Sequence, residues 1–194
     1  MKKTLIIAFA LIALVGLQAD AQVSHSSTTV LPISNTTNAC TSTDGAGGVS
    51  DTIAFAETGT ISDVDVAVEI IHTWRSDLQF HVEYSVGAAG AIVLAADHDG
   101  GDDDYYATFD DEAGMLCSDA TMCGSGSAIC VSGSPATCMP DVALSAFDGL
   151  TSPGTWTLMV CDDAGGDDGE LMGWTVTVDG DGDLPVELMS FMVE

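Results

Sequence analysis

Residues 61–78 read Ile61-Ser62-Asp63-Val64-Asp65-Val66-Ala67-Val68-Glu69-Ile70-Ile71-His72-Thr73-Trp74-Arg75-Ser76-Asp77-Leu78. Successive side chains of an extended strand point to opposite sides, so Val64, Val66, Val68 and Ile70 share one face while Asp65, Ala67 and Glu69 share the other. That is a strand with one buried face, as a sandwich requires. Working outward, Val49 to Ile61 predicts a first strand pair with Ile53 and Phe55 turned inward. On the other side, Leu78, Phe80, Val82 and Tyr84 alternate with Gln79, His81 and Glu83, which predicts a second half-buried strand with His81 facing solvent. Gly87 to Gly90 predicts a turn and Ala91 to Ala95 a short apolar strand. The alternation returns at Trp156, Leu158 and Val160, and again at Trp174, Val176 and Val178. Trp74, Trp156 and Trp174 all sit in strand patterns and read as core or sheet-surface residues. Short strands punctuated by Gly and Asp turns, with no sustained helical period, predict an all-β chain folded as an antiparallel β-sandwich.

The stretches between are strongly acidic. Residues 97–112 hold eight acids in sixteen positions, which predicts a loop, and residues 162–170 predict an acidic, Gly-rich hairpin loop. Asp179-Gly180-Asp181-Gly182-Asp183 predicts a linker into a short tail. The 22–43 segment, rich in Ser, Thr and Asn, predicts an exposed lead-in that becomes ordered near Cys40. The domain plan is therefore 1–21, 22–43 and 44–180, then a tail over 181–194, with a Cys-rich insertion at 115–141.

Met1-Lys2-Lys3, an apolar run from Leu5 to Leu17 and the small-x-small pattern Ala19-Asp20-Ala21 predict a secretory signal peptide over 1–21. The apolar run is shorter than the roughly 20 residues a bilayer span needs. The expected location is secreted or cell-surface, with no membrane association after processing. Processing would remove Lys2, Lys3 and Asp20, leaving Arg75 as the lone basic residue against 29 acids. Nucleic acid and anionic membrane surfaces need Lys or Arg to neutralise phosphate and are excluded as partners; cations are the expected ones. Cys40, Cys117, Cys123, Cys130, Cys138 and Cys161 form an even set, which in an exported chain predicts disulfides. The four between 117 and 138 lie close enough in sequence to staple one loop to itself, leaving Cys40 with Cys161 as a long-range bridge. Zinc is a poor alternative, because there is no C-x-x-C pair.

The run I-S-D-V-x-V-x-V-x-I-x-H-T-W-R-x-D-L over 61–78 resembles the P (Homo B) domain of kexin- and furin-type subtilisin-like proteases. Phe109-Asp110-Asp111-Glu112-Ala113 is similar to that family's F-D-D-E-A run. The blocks Leu144-Ser145-Ala146-Phe147-Asp148-Gly149, Gly154-Thr155-Trp156-Thr157-Leu158, Asp167-Asp168-Gly169-Glu170-Leu171 and Trp174-Thr175-Val176 follow in order. The resemblance implies the jelly-roll, galactose-binding-domain-like version of the sandwich, and a part of the protease that does not itself cut peptides. The Cys-rich insertion departs from the family.

The sequence contains no G-x-S-x-G elbow and no H-E-x-x-H, and nothing resembles the subtilisin-like catalytic blocks, so no catalytic residue is assigned. His72 reads as a packed strand histidine. Calcium is the expected cofactor, since hard cations take six to eight oxygen ligands and Asp/Gly loops supply them. The resemblance places it at the F-D-D-E-A run, so Asp110 and Asp111 are the leading ligands, with Asp77, Asp102 and Asp104 joining them. The alternative is a solvated acidic surface adapted to high salt. Arg75 is expected to pair with a nearby carboxylate. The functional expectation is a non-catalytic module that stabilises or docks to an exported subtilisin-like protease. The alternative is an exported surface, adhesive or matrix protein that joins an extracellular polymer or associates with itself.

Overall fold

The computed structural model describes residues 21–34, 48–87, 91–96, 103–117 and 135–182. They form an antiparallel β-sandwich organised on one long strand, β3 (Val49–His72). Before it come β1 (Ala21–Ser27) and β2 (Leu31–Ser34). After it follow β4 (Leu78–Tyr84), β5 (Ala91–Ala96), β6 (Tyr105–Phe109), β7 (Ala136–Cys138), β8 (Thr151–Asp162) and β9 (Asp168–Gly182). Short 3-10 turns occupy Arg75–Asp77 and Leu144–Phe147.

At 24 residues β3 is several times an ordinary strand, and it belongs to both layers. Its first half, Val49 to Thr60, pairs with β8, which continues through β4 to β5; its second half, Gly59 to His72, pairs with β9 and, over Val66 to Ile70, with β6. Register shifts between Phe55 and Gly59 and between Ile61 and Asp63 let one strand bend from one layer into the other. Val64, Val66, Val68 and Ile70 are all at most 1% exposed, as the alternation predicts. Trp156 on β8 anchors one end of the core, stacked on Tyr84 with ring centres 4.3 Å apart and edge-on to Phe147 at 4.9 Å. Phe80 on β4 meets Tyr105 on β6 edge-on at 4.8 Å and so ties the two layers together. Truncating a ring in such a cluster to alanine costs about 3 to 5 kcal/mol.

The structure differs from the sequence reading in several places. The exposed lead-in is instead two strands: β1 pairs with β9 from Ala21↔Gly180 to Ser27↔Trp174, β2 pairs with Leu171 to Asp168, and Ile33 is fully buried. Its Ser-rich composition hid this, yet those hydroxyls are what the pairing uses, since Ser24 and Ser26 meet Thr177 and Thr175 across the strands at 2.8 Å. The expected linker at 179–183 is a strand as far as Gly182, paired with Gly59 to Ile61 and Asp63 of β3. Within the expected loop at 97–112 lies β6, with Tyr105, Ala107 and Phe109 in the core. The described ends of the expected insertion join the core: β7 pairs in parallel with β6, Ala136 and Cys138 are buried, and Cys117 is disulfide-bonded to Cys138.

Gln79 and His81 are buried on β4 rather than turned to solvent, because both faces of that strand are covered; Gln79 donates to Asp163 in the turn after β8. Trp74 is no strand residue: it precedes a 3-10 turn and is 46% exposed. Cys161 is disulfide-bonded and fully buried. The expectations for Cys40, Cys123 and Cys130, and for the signal peptide at 1–20, lie outside the described residues.

Candidate functional site

The acidic residues singled out in the sequence gather at the two ends of β6, where the chain enters and leaves the core. At the entering end, the last side chain of β3, His72, continues the inward-facing set and is 0% exposed. Its Nε2 lies 3.3 Å from Oδ2 of Asp162, the equally buried last residue of β8, and its Nδ1 lies 2.9 Å from the Trp74 carbonyl oxygen. Asp162 also accepts a hydrogen bond from the Ala164 N–H at 3.0 Å. Gly169 makes room for this arrangement, because a Cβ there would collide with the Ile71 backbone and lie 2.6 Å from His72 Cδ2.

Asp104 sits at the same end. Its N–H donates to the His72 carbonyl at 2.7 Å and its Oδ1 accepts the His72 N–H at 3.2 Å, in the left-handed backbone region (φ 63°) that Asp tolerates better than most residues. Asp77 joins through its backbone, its carbonyl accepting the Asp163 N–H at 2.9 Å. Burial holds the Asp77 carboxyl above its ordinary value, and Asp162 and Asp167 push it further against the opposing pull of His72. Arg75 is 4% exposed, which excludes a surface ion pair, and it lies within electrostatic reach of the Tyr105 hydroxyl.

At the leaving end, Asp111 is a capping residue. Its two carboxylate oxygens accept the backbone N–H groups of Leu144 and Ser145 at 2.9 and 2.8 Å, holding the Leu144–Phe147 turn against the sandwich. Asp110 Oδ1 accepts the Glu112 N–H at 2.7 Å. Behind them on β3 is Asp65, whose Oδ1 is buried and has no hydrogen-bond partner. Burial raises the Asp65 pKa to about 6, with Asp110, Asp63, Asp179 and Glu112 adding to the shift. Glu112 is raised chiefly by Asp63, and Asp148 by burial and then by Asp63 and Asp111.

The expected calcium ligands are therefore divided. Asp104 and Asp77 stand at the His72 end, Asp110 and Asp111 at the other, separated by the whole of β6, about 20 Å of extended chain. Asp102 lies outside the described residues. Among the described residues no three carboxylate, imidazole or thiol groups stand close enough to share one ion. The sequence reading missed Asp162 and Asp65. Asp162 ends a clear run of alternation, where a carboxylate marks the mouth of a hairpin, and Asp65 was assigned to a solvent face that the Asp110 turn covers.

His72 and Asp162 have the residue types of a proton relay but not its accessibility. Both are sealed from solvent, and both imidazole nitrogens already face oxygen atoms, so no substrate can reach either group. The corner is a structural lock between β3, β8 and the turn before β4.

The family model for the proprotein convertase P-domain matches residues 61–178. The chain belongs to that family. The match begins halfway along β3, where the strand passes between layers, and takes in every element from there to near the end of β9. Among solved structures, the P-domain fold is similar to part of the Aeromonas sobria serine protease crystallised in complex with its chaperone, at 18% identity and a TM-score of 0.51, covering 86% of this chain and 28% of that one. The Aeromonas sobria serine protease determined alone matches at 19% identity and a TM-score of 0.45, covering 85% of this chain and 28% of that one. The P-domain thus spans little more than a quarter of the length of these proteins. No curated protein matches it.

Proposed function

We propose that this chain is a non-catalytic companion module of an exported subtilisin-like serine protease, which it stabilises by docking. The family match over residues 61–178 carries the reading. The likeness to about a quarter of a serine protease supports it. The rigidity of the lock and the core suits a module whose value lies in a fixed surface, because a preformed surface loses little conformational freedom on docking. Export rests on the leader pattern at residues 1–21.

Calcium belongs to this proposal only at the Asp65 end. There Asp63, Asp110 and Asp179 act electrostatically on Asp65, one of whose oxygens is buried without a hydrogen bond; no three of these acids stand close enough to ligate one ion together, and a divalent counter-ion would relieve their mutual repulsion. Asp110 is the sequence-derived residue that this placement retains. Binding to the native state alone stabilises by about 2.7 kcal/mol at a hundred times Kd.

Co-expression with exported subtilisin-like proteases from the same source, followed by co-purification and thermal inactivation, tests the docking role. A retained protease that inactivates more slowly with the module is the expected outcome. Failure of every such protease to be retained or stabilised would overturn it. Melting of wild type and Asp110→Asn in chelator, millimolar calcium and molar sodium chloride tests the ion. A calcium response lost in Asp110→Asn supports it, and an equal response to either salt returns the acids to a solvated surface.

A further inference from the structure

Beside the Cys117–Cys138 disulfide is an open groove of about 410 Å³, walled by Leu116, Met139, Pro140 and Ala143 and edged by Asp111 and Asp141. Backbone hydrogen bonds hold its lining segments. The Met139 N–H donates to the Met115 carbonyl at 2.8 Å and the Cys117 N–H to the Met139 carbonyl at 3.0 Å, so residues 115–117 run alongside 138–140. The N–H groups of Asp141 and Val142 bond to Leu94 and Val93 of β5 at 3.0 and 3.1 Å. The carboxylate of Asp111 fixes the far wall through Leu144 and Ser145.

One exposed apolar side chain lines the groove directly. Six large hydrophobic side chains are strongly exposed among the described residues; Leu116 at 50% lines the groove, and Met115 at 44% and Val142 at 43% adjoin its lining residues in sequence. An exposed leucine standing singly would need no explanation, but Leu116 shares a concave surface with Met139, Pro140 and Ala143, and an apolar patch of that kind marks a binding site. The surroundings are acidic: Asp110 and Glu112 adjoin Asp111, the whole chain has a formal charge of −27, and the one arginine of the described residues is buried. Two copies bringing such charge together would repel, so self-association through this face is disfavoured. A cationic partner is attracted instead.

We propose that this groove is a docking surface for a partner polypeptide that presents bulky apolar side chains flanked by lysine or arginine. The apolar side chains fill the space between Leu116 and Ala143, and the basic groups lie toward the Asp111 and Asp141 rim. The inference rests on the docking role proposed above for who the partner is, and on the groove alone for what chemistry is bound.

The probe is a labelled synthetic peptide, Arg-Arg-Leu-Leu-Arg-Arg, followed by fluorescence anisotropy at low salt, with one control replacing the arginines by glutamate and another replacing the leucines by serine. Wild type is expected to bind the probe and neither control. The double variant Leu116→Ser/Val142→Ser, which alters only exposed side chains, is expected to melt as wild type and bind about tenfold more weakly. Ile71→Ser, an exposed change outside the groove, is expected to bind as wild type. Equal binding of the serine control, equal binding by the double variant, or no binding of the probe overturns the proposal. So does sedimentation showing a dimer that Leu116→Ser abolishes, since the occupant would then be a second copy. A companion protease retained equally by wild type and the double variant leaves the docking role standing and removes this groove from it. Probe binding that tracks the groove residues, with no protease retained, supports the groove and fails the docking role.

Discussion

At the His72 end of β6 the carboxylates receive hydrogen bonds, the buried Asp162 from His72 and the Ala164 N–H and the half-buried Asp104 from the His72 N–H. At the Asp110 end, Asp65 is covered without a hydrogen bond to Oδ1 and faces Asp110, Asp63, Asp179 and Glu112. The same residue type closes the fold at one end and strains it at the other. Burial by itself decides neither outcome; the donors that the tertiary fold brings to the carboxylate do.

The comparison is broken most severely at His72. His72→Ala leaves the Asp162 carboxylate buried without its imidazole and is expected to lower stability by about 3 kcal/mol, read as a shift of the urea midpoint at unchanged slope. A loss under about 1 kcal/mol would mean that the pair contributes little to the lock. Gly169→Ala attacks the same corner through the backbone, by driving a methyl into Ile71 and His72, and is expected to cost about 2 kcal/mol. If the corner is as rigid as its hydrogen bonds imply, combining it with His72→Ala is less than additive, because both changes act on one contact.

At the other end the effects are smaller and differ in sign. Asp111→Ala removes the acceptor for two N–H groups of the Leu144–Phe147 turn and is expected to cost about 1 kcal/mol, measured by thermal melting. Asp65→Asn is expected to stabilise at pH 7, by about 1 kcal/mol once solvent screening is allowed for, because it removes a repelled charge. Folding raises the Asp65 pKa from an unfolded value of about 3.9 to about 6, so the native state binds this proton more tightly than the unfolded chain. The associated stability is fully present below about pH 3.9 and is lost as pH rises through 6. The gain from Asp65→Asn should therefore be largest at pH 7 and fade toward pH 4; a gain independent of pH would assign it to packing rather than charge.

Much of the core was legible in the chain because its cause is local. The faces of β3, β8 and β9 follow from side-chain alternation, which reports Val64, Val66, Val68, Ile70, Trp156 and Trp174 without knowledge of any neighbour. The P-domain blocks were legible for a different reason, as a resemblance carried by particular runs such as Phe109-Asp110-Asp111-Glu112-Ala113. Strands whose stability comes from a partner were not: β1 is polar and exists because β9 offers it an edge, while β6 is five residues set in an acidic stretch. Likewise, alternation divides Gln79 and His81 from Phe80 and Val82 but cannot say that both faces of β4 are covered.

For the candidate site, the sequence alone determined that carboxylates crowd the loops, that Asp110 and Asp111 belong to a family motif, and that Arg75 would be nearly the only cation. Only the tertiary structure decided what each acid does. Asp111 caps a turn 33 residues away, and Asp162 meets a histidine 90 residues away. Asp65 is left facing like charges from β3, β9 and the turn after β6. Those outcomes depend on which donors and charges come within a few ångströms through space, and a distance of that kind is set by how β3 bends between the layers, not by spacing along the chain.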